Sequence, residues 1–205
     1  MIALMDNGQD LDECAAEIGG EVGQLLTPLT RYTLRDPDRP WAIDNGFFSP
    51  SASIDAWLSL LAREKHHQKK CLFITLPDVV GSARRTLEVF EYWRRQEQLR
   101  GWKRALVCQD GQEDLPMPWD DISAIFLGGS TNWKCGPHAV HLIKAAQALG
   151  KWVHAGRVNG SERWDHFERL GVNSADGTGL ARYSHMRKAI ANRNLQQDML
   201  HEMSV

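Results

Sequence analysis

Arg104-Ala-Leu-Val-Cys-Gln-Asp-Gly111 and Ile122-Ser-Ala-Ile-Phe-Leu-Gly-Gly-Ser130 are two short apolar runs, each cut off by turn-forming residues. Runs of this length without polar alternation are the pattern of strands buried on both faces of a parallel sheet. A helical stripe follows, with Ala139, Leu142, Ile143, Ala146 and Leu149 on one side and Gly150 as its stop. Lys151-Trp-Val-His154 is then a third strand, ending at Gly156-Arg157. Strands separated by helices in this way make a parallel α/β sheet.

The same alternation extends in both directions. Trp41-Ala-Ile-Asp44 leads through a Gly-Phe-Phe-Ser-Pro turn into a helix over about Ser53 to Arg63. Cys71-Leu-Phe-Ile-Thr-Leu76 is a strand, and its helix, about Ser82 to Leu99, places Ala83, Leu87 and Phe90 on one face. Towards the carboxyl end come a helix at about Ser161 to Leu170, a strand over Val172 to Ala175, and a polar helix from about Ala181. That makes about six strands after Pro40, and Met1 to Met5 offers a seventh; about 250 residues is typical of eight full units. An open doubly wound sheet and a barrel that is trimmed or incomplete both fit. Residues 6–39 are the least readable, because Gly19-Gly20 and Pro28 interrupt any period. Without repeats, linkers or low-complexity tracts, residues 1–205 are expected to form one domain.

Bulk composition narrows the class. Of 205 residues, 42% are hydrophobic and 24% charged, a globular balance, and the net charge of -2 leaves any nucleic-acid contact to a local patch. Cys14, Cys71, Cys108 and Cys135 are far apart, with no Cys/His cluster, so neither a zinc site nor a disulfide scaffold is expected. They are expected to be reduced, mostly buried thiols of a cytoplasmic protein. No signal peptide precedes Asp6, and no apolar stretch approaches a membrane span.

The polar residues fall at one end of the strands. Asp44-Asn45-Gly46, Pro77-Asp78, Gln109-Asp110-Gly111, Gly128-Gly129-Ser130, Gly156-Arg157 and Asp176-Gly177 each close a strand. In parallel α/β folds the carboxyl ends of the strands hold the ligand site. Any one of these acids taken alone reads as a helix cap or Asx turn, and the glycine pair as a tight turn. Six such endings at the same end of successive strands point to one pocket. Its chemistry suits a purine: one carboxylate to accept from the guanine edge, an amide and a backbone N–H for O6, a second carboxylate as nucleophile at an anomeric carbon, a third to move protons. Three acids could equally bind Mg²⁺.

Taken in order, Asp44-Asn-Gly-Phe-Phe48, Leu76-Pro-Asp78, Gln109-Asp-Gly111, Phe126-Leu-Gly-Gly-Ser130, His154-Ala-Gly-Arg-Val158 and Asn173-Ser-Ala-Asp-Gly-Thr-Gly179 resemble the queuine and guanine transglycosylases. They are most like the short paralogues, found with phages and genomic islands, that place 7-deazaguanines in DNA. The resemblance runs from about Pro40 to Leu180 and implies a (β/α)8 barrel of the TIM type, trimmed or incomplete. It implies Asp176 as the nucleophile that expels guanine and forms a covalent glycosyl-enzyme, and Asp44 as the acid/base for the exchanged bases. Asp78 and Gln109 match the positions that read the guanine edge, and Gly128 and Gly129 match the backbone that meets O6. Asn45 and Phe47, beside Asp44, are substrate-binding candidates. So are His154 and Arg157, the former also read as a packed strand residue, the latter as a pocket or phosphate contact. No cofactor and no metal are implied.

Two departures bear on the substrate. The Cys/His zinc subdomain of the bacterial tRNA-modifying enzymes and the added RNA-binding domain of the archaeal type have no counterpart here, which favours DNA over tRNA. Asp44-Asn-Gly stands where the family has Asp-Ser-Gly. The expected partners are DNA and a free 7-deazaguanine base, with a homodimer or partner protein left open and no membrane. Candidate polyanion contacts are Arg63, Lys65, His66, His67, Lys69 and Lys70, then Arg84 and Arg85, then Arg182, Arg187, Lys188 and Arg193. Trp133 and Lys134, just past the glycine pair, are substrate-binding candidates, the tryptophan as an aromatic beside the pocket that could stack on a base. Two rivals stand beside this reading: a nucleoside deoxyribosyltransferase, and a catalytically idle relative that binds a base or nucleic acid within a larger complex.

Overall fold

In the computed structural model, which describes residues 1–6, 8 and 10–202 with the side chains of 194–202 left aside, eight parallel strands close into a barrel. They follow one another around it in chain order: β1 (Ile2–Met5), β2 (Val22–Leu26), β3 (Trp41–Ile43), β4 (Ile74–Thr75), β5 (Arg104–Cys108), β6 (Ala124–Leu127), β7 (Trp152–Ala155) and β8 (Ser174–Asp176). β8 returns to β1, with Leu4 opposite Asp176. The helices are α1 (Leu11–Ile18), α2 (Ile54–Glu64), α3 (Ala83–Trp93), α4 (Thr131–Lys134), α5 (Pro137–Ala148), α6 (Ser161–Arg169), α7 (Thr178–Arg182) and α8 (Ser184–Glu202). This is the TIM-type α/β fold.

The sheet is complete; the trimming is in the helical layer. Among the described residues β2–β3 is joined without a helix, and β5–β6 by two 3-10 turns alone. Strands of two to five residues shorten the chain further. The strand that sequence reasoning missed is β2, Val22-Gly-Gln-Leu-Leu26, whose polar centre hides its period. Gln24 is buried because it does the work of an absent helix: its Nε2 donates to Thr33 O at 2.8 Å and its Oε1 accepts from Arg35 N at 3.0 Å. Those bonds fasten the loop after β2 back along the strand. Gly23 is required by close approach, since a Cβ there would lie 2.1 Å from the carbonyl oxygen of Pro40.

α1 was also hidden, although its signals are local. Asp10 caps it, accepting from Asp12 N and Glu13 N, and Gly19 ends it in the left-handed conformation. Leu11, Cys14 and Ile18 form its buried stripe. α3 is shorter than the expected helix over Ser82 to Leu99. It stops at Trp93, Gln96 is extended, and Leu99 reaches the core from a separate 3-10 turn. Arg104 Nη1 donates to Arg94 O at 2.7 Å, satisfying a carbonyl at that helix end.

Two layers of core follow from strand parity. Inside the barrel, Leu4, Leu25, Ala42, Phe73, Ala105, Val107, Ala124 and Phe126 pack together, large beside small. The alternate residues, among them Ile43, Leu106, Ile125, Leu127 and Val153, pack outward against helices. Trp41, Trp57 and Trp164 are fully buried in that outer layer. Cys14, Cys71 and Cys108 are buried thiols, and Cys135 is half-buried. α8 lies on α1, where Arg187 Nε meets Glu17 Oε2 at 2.5 Å, tying the two ends of the chain together.

Candidate active site

Inward parity carries polar side chains to the carboxyl end of the barrel. Asp44 stands two residues beyond inward Ala42, Gln109 two beyond Val107, Gly128 two beyond Phe126, and Asp176 two beyond Ser174. They meet in one pocket with Asn45, Asp78 and Arg157, walled on its apolar side by Phe48, Val80, Val107 and Phe126. The pocket is open to solvent at its mouth, as ligand sites at the carboxyl end of such barrels are.

The acids are held differently. Asp44 Oδ1 accepts from Thr75 Oγ1 at 3.1 Å, and burial, then the charges of Asp176 and Asp78, push its carboxyl up to about 7. Asp78 is gripped by two amides: Oδ1 accepts from Asn45 Nδ2 at 3.0 Å and Oδ2 from Gln109 Nε2 at 2.8 Å. Burial raises its pKa above the usual carboxylate range. Gln109 is oriented in turn, since its Oε1 accepts from Gly81 N at 3.1 Å. Asn45 is fully engaged, giving Nδ2 also to Leu76 O at 2.7 Å and accepting Phe47 N at 2.8 Å on Oδ1. Asn45 therefore acts as a bracket for Asp78.

Asp176 presents two unlike oxygens. Oδ1 faces His154 Nε2 at 2.9 Å and accepts from Arg157 N at 3.3 Å. Among the described residues no hydrogen bond is formed by Oδ2, and the side chain keeps a partly open face to the pocket. Nor do the acids form a group that could hold a metal ion among the described residues.

The glycine pair needs correction. Gly128 N and Gly129 N both donate to Cys108 O, at 2.9 and 3.1 Å, so neither N–H is free to meet a base oxygen. Arg157 Nη2 takes both of their carbonyls, Gly129 O at 3.0 Å. What requires glycine is packing. A Cβ on Gly128 would lie 2.6 Å from Val107 Cγ1, and one on Gly129 2.4 Å from Asp110 Oδ1 and 2.6 Å from the Trp133 ring. Asp110 holds this turn, accepting from Ser130 N and Ser130 Oγ at 2.6 Å each. Arg157 itself has a left-handed backbone, φ 58°, unusual for a side chain of its size. Its guanidinium lies 4.4 Å over the Phe48 ring, making a rim of one arginine and one aromatic.

Three other expected site residues are placed elsewhere. Phe48, not Phe47, lines the pocket. Trp133 is buried against the core and donates Nε1 to Glu113 Oε2 at 2.7 Å, so it does not stack on a base. Lys134 is buried with its Nζ on Gly156 O, and burial, then Arg157, pushes it down to about 8. His154 is packed inside its strand as expected, and it also touches Asp176. The basic run from Arg63 to Lys70 connects the end of α2 to β4, at the amino-terminal end of the barrel, opposite the pocket. Arg187, Lys188 and Arg193 pair with Glu17, Glu162 and Asp165. Arg84, Arg85 and Arg182 follow strand ends and are exposed on the pocket side.

Sequence reasoning did not single out Phe48, Val80, Val107, Phe126, Thr75 or Asp6. Val107 and Phe126 were readable as the inward residues two before Gln109 and Gly128. Asp6, just past β1, is pushed up by burial and by Asp176, which makes it a fourth acid near the site.

No family model and no curated protein matches the chain. Solved structures match in fold. A BexX/CysO complex from Amycolatopsis orientalis is 14% identical, covering 100% of this chain and 91% of that one at a TM-score of 0.56. A flavocytochrome b2 mutant is 12% identical, covering 100% and 64% at 0.55. At these identities the likeness is one of fold alone. No helix among the described residues is long and apolar enough to cross a membrane.

Proposed function

We propose that this chain is a guanine transglycosylase acting on DNA, exchanging guanine for a 7-deazaguanine. The observation that carries the reading is the pairing of Asp176, a pocket-lining acid with Oδ1 bound and no hydrogen bond on Oδ2 among the described residues, with Asp44 poised near neutral pH. Asp176 Oδ2 attacks C1′ as the C1′–N9 bond breaks, leaving an aspartyl-glycosyl ester. Asp44, close to half-protonated at neutral pH, gives a proton to the departing base and takes one from the incoming base. Asp78 keeps a second lone pair on each oxygen beyond its two amide bonds, enough to accept from guanine N1–H and the 2-amino group. With the glycine N–H groups engaged, the second hydrogen of Gln109 Nε2 is a donor left for O6. Val80, Val107 and Phe126 offer an apolar wall that a purine N7 does not need and a deazapurine carbon suits.

The rim supports a polymer over a free nucleoside. Leu29, Phe48 and Val80 are exposed on loops that follow strands, at the pocket end, with Arg84 and Arg85 at the start of α3. Tyr183 and Arg182 are exposed at the end of the short helix α7 after β8. Exposed aromatics interleaved with arginine suit unstacked bases and phosphates, and a base inside the barrel mouth must leave its stack. The test is release of labelled guanine from DNA, and separately from tRNA, on addition of 7-cyano-7-deazaguanine. Release from DNA that disappears in Asp176→Ala supports the reading. Release from tRNA alone keeps the chemistry and replaces the substrate. No release from either, by folded protein, refutes it.

A further inference from the structure

A line of hydrogen bonds runs up the inside of the barrel to Asp176. Trp152 Nε1 lies 2.9 Å from Ser174 Oγ, Ser174 Oγ lies 2.8 Å from His154 Nδ1, and His154 Nε2 lies 2.9 Å from Asp176 Oδ1. An indole nitrogen only donates, so the serine oxygen accepts there and its own proton is left for His154 Nδ1. An ionised Asp176 only accepts, so His154 Nε2 must carry a proton. For a neutral imidazole both ends agree on one tautomer, Nε2–H. The imidazole cannot turn away: it is fully buried, with the Phe73 and Phe126 ring centroids at 5.1 and 4.6 Å.

The arrangement has the three residue types of a hydrolytic triad in the wrong direction for one. Ser174 is fully buried and sits one layer below Asp176, so the open end of the chain is the carboxylate. We propose that His154, fixed by Ser174 and Trp152, is the positioning residue that pins Asp176 Oδ1 and thereby turns Oδ2 towards the pocket as the reacting oxygen. This rests on Asp176 being the nucleophile. The relay holds its protons and moves none. Attack uses a lone pair of Oδ2, and the electron pair of C1′–N9 leaves with the base. In the ester Oδ1 is the carbonyl oxygen and keeps the Nε2–H bond. When the second base attacks C1′, the ester C1′–Oδ2 pair returns to the carboxylate, whose charge the same bond stabilises.

The side-chain amide of glutamine reaches the place of an imidazole Nε2, whereas phenylalanine fills the ring's space without a donor. His154→Phe is expected to lower kcat by about tenfold to a hundredfold, the range seen when orienting partners of metal ligands are removed, with KM within about twofold. His154→Gln is expected to recover most of that loss. Equal loss in both variants, or none in His154→Phe, overturns the proposal. Should His154→Phe not fold, Ser174→Ala serves in its place, with the same fall in kcat at unchanged KM.

A second readout needs no turnover. In protein labelled with 15N-histidine, the signal that disappears in His154→Gln is expected to show a protonated Nε2 that shifts in Asp176→Asn and in Ser174→Ala. A protonated Nδ1 with bare Nε2, or no response to Asp176→Asn, overturns the relay. If no guanine is released while that coupling is present, the functional reading fails and the relay stands.

Discussion

Asn45 Nδ2 lies 3.0 Å from Oδ1 of Asp78, so an amide on the loop after β3 aims a carboxylate on the loop after β4. Asn45→Asp replaces that donor with a second negative charge. The KM for the incoming base is expected to rise at least about tenfold, roughly 1.4 kcal/mol of binding, while kcat changes less. Steady-state exchange with varied 7-cyano-7-deazaguanine checks this; an unchanged KM would mean that Asp78 does not read the base.

Asp44 links activity and stability to pH. Its carboxyl is pushed up to about 7, from the ordinary carboxylate value, by burial first and then by Asp176 and Asp78. The folded state therefore binds a proton that the unfolded chain has released between about pH 4 and 7, and stability falls as pH rises through that window. Each unit of displacement is worth about 1.4 kcal/mol. Asp44→Asn removes the charge: its Tm advantage over the native protein is expected to grow from pH 4 to pH 7 and then level off. Guanine release by the native protein should decline above about pH 7, and Asp44→Asn should be nearly inactive throughout.

The rim and the far end of the barrel separate substrate binding from bulk charge. Phe48→Ala and the double change Arg84→Ala with Arg85→Ala are expected to weaken binding of an oligonucleotide. The arginine pair should also lower the salt slope by about 0.7 to 0.9 for each phosphate that is no longer neutralised. Lys65→Ala with Lys69→Ala, at the opposite end of the barrel, should leave both unchanged. Fluorescence anisotropy across a salt series distinguishes them; equal effects from the two ends would dismiss the rim as the binding surface.

Gly129→Ala tests the packing reason for the glycine pair. Its Cβ would fall 2.4 Å from Asp110 Oδ1 and 2.6 Å from the Trp133 ring. A loss of about 1 to 3 kcal/mol is expected in denaturant unfolding. A neutral result would contradict packing as the reason for glycine at this position.

Much of this site was legible because parallel strands carry a positional rule. Asp44, Asp78, Gln109, Arg157 and Asp176 each end a strand in the sequence, and each lines the pocket. The rule fails where the cue is compositional. Gly128-Gly129 reads as open backbone, yet its N–H groups are consumed by Cys108 O. Trp133 reads as an exposed aromatic, yet one helical turn carries it into the core. Nothing local separates Phe47 from Phe48, since a turn decides which ring faces the mouth. β2 was hidden because Gln24 replaces a helix contact with hydrogen bonds, and a polar residue at a buried position breaks the period on which strand reading depends.

The covalent intermediate tests the central claim most directly. The protein would be mixed with an oligodeoxynucleotide, quenched under denaturing conditions, and examined by gel and peptide mass spectrometry. The expected result is a protein–DNA adduct on the peptide containing Asp176, absent in Asp176→Ala and discharged by added base. Base exchange that proceeds with no adduct, and undiminished in Asp176→Ala, would contradict Asp176 as the nucleophile.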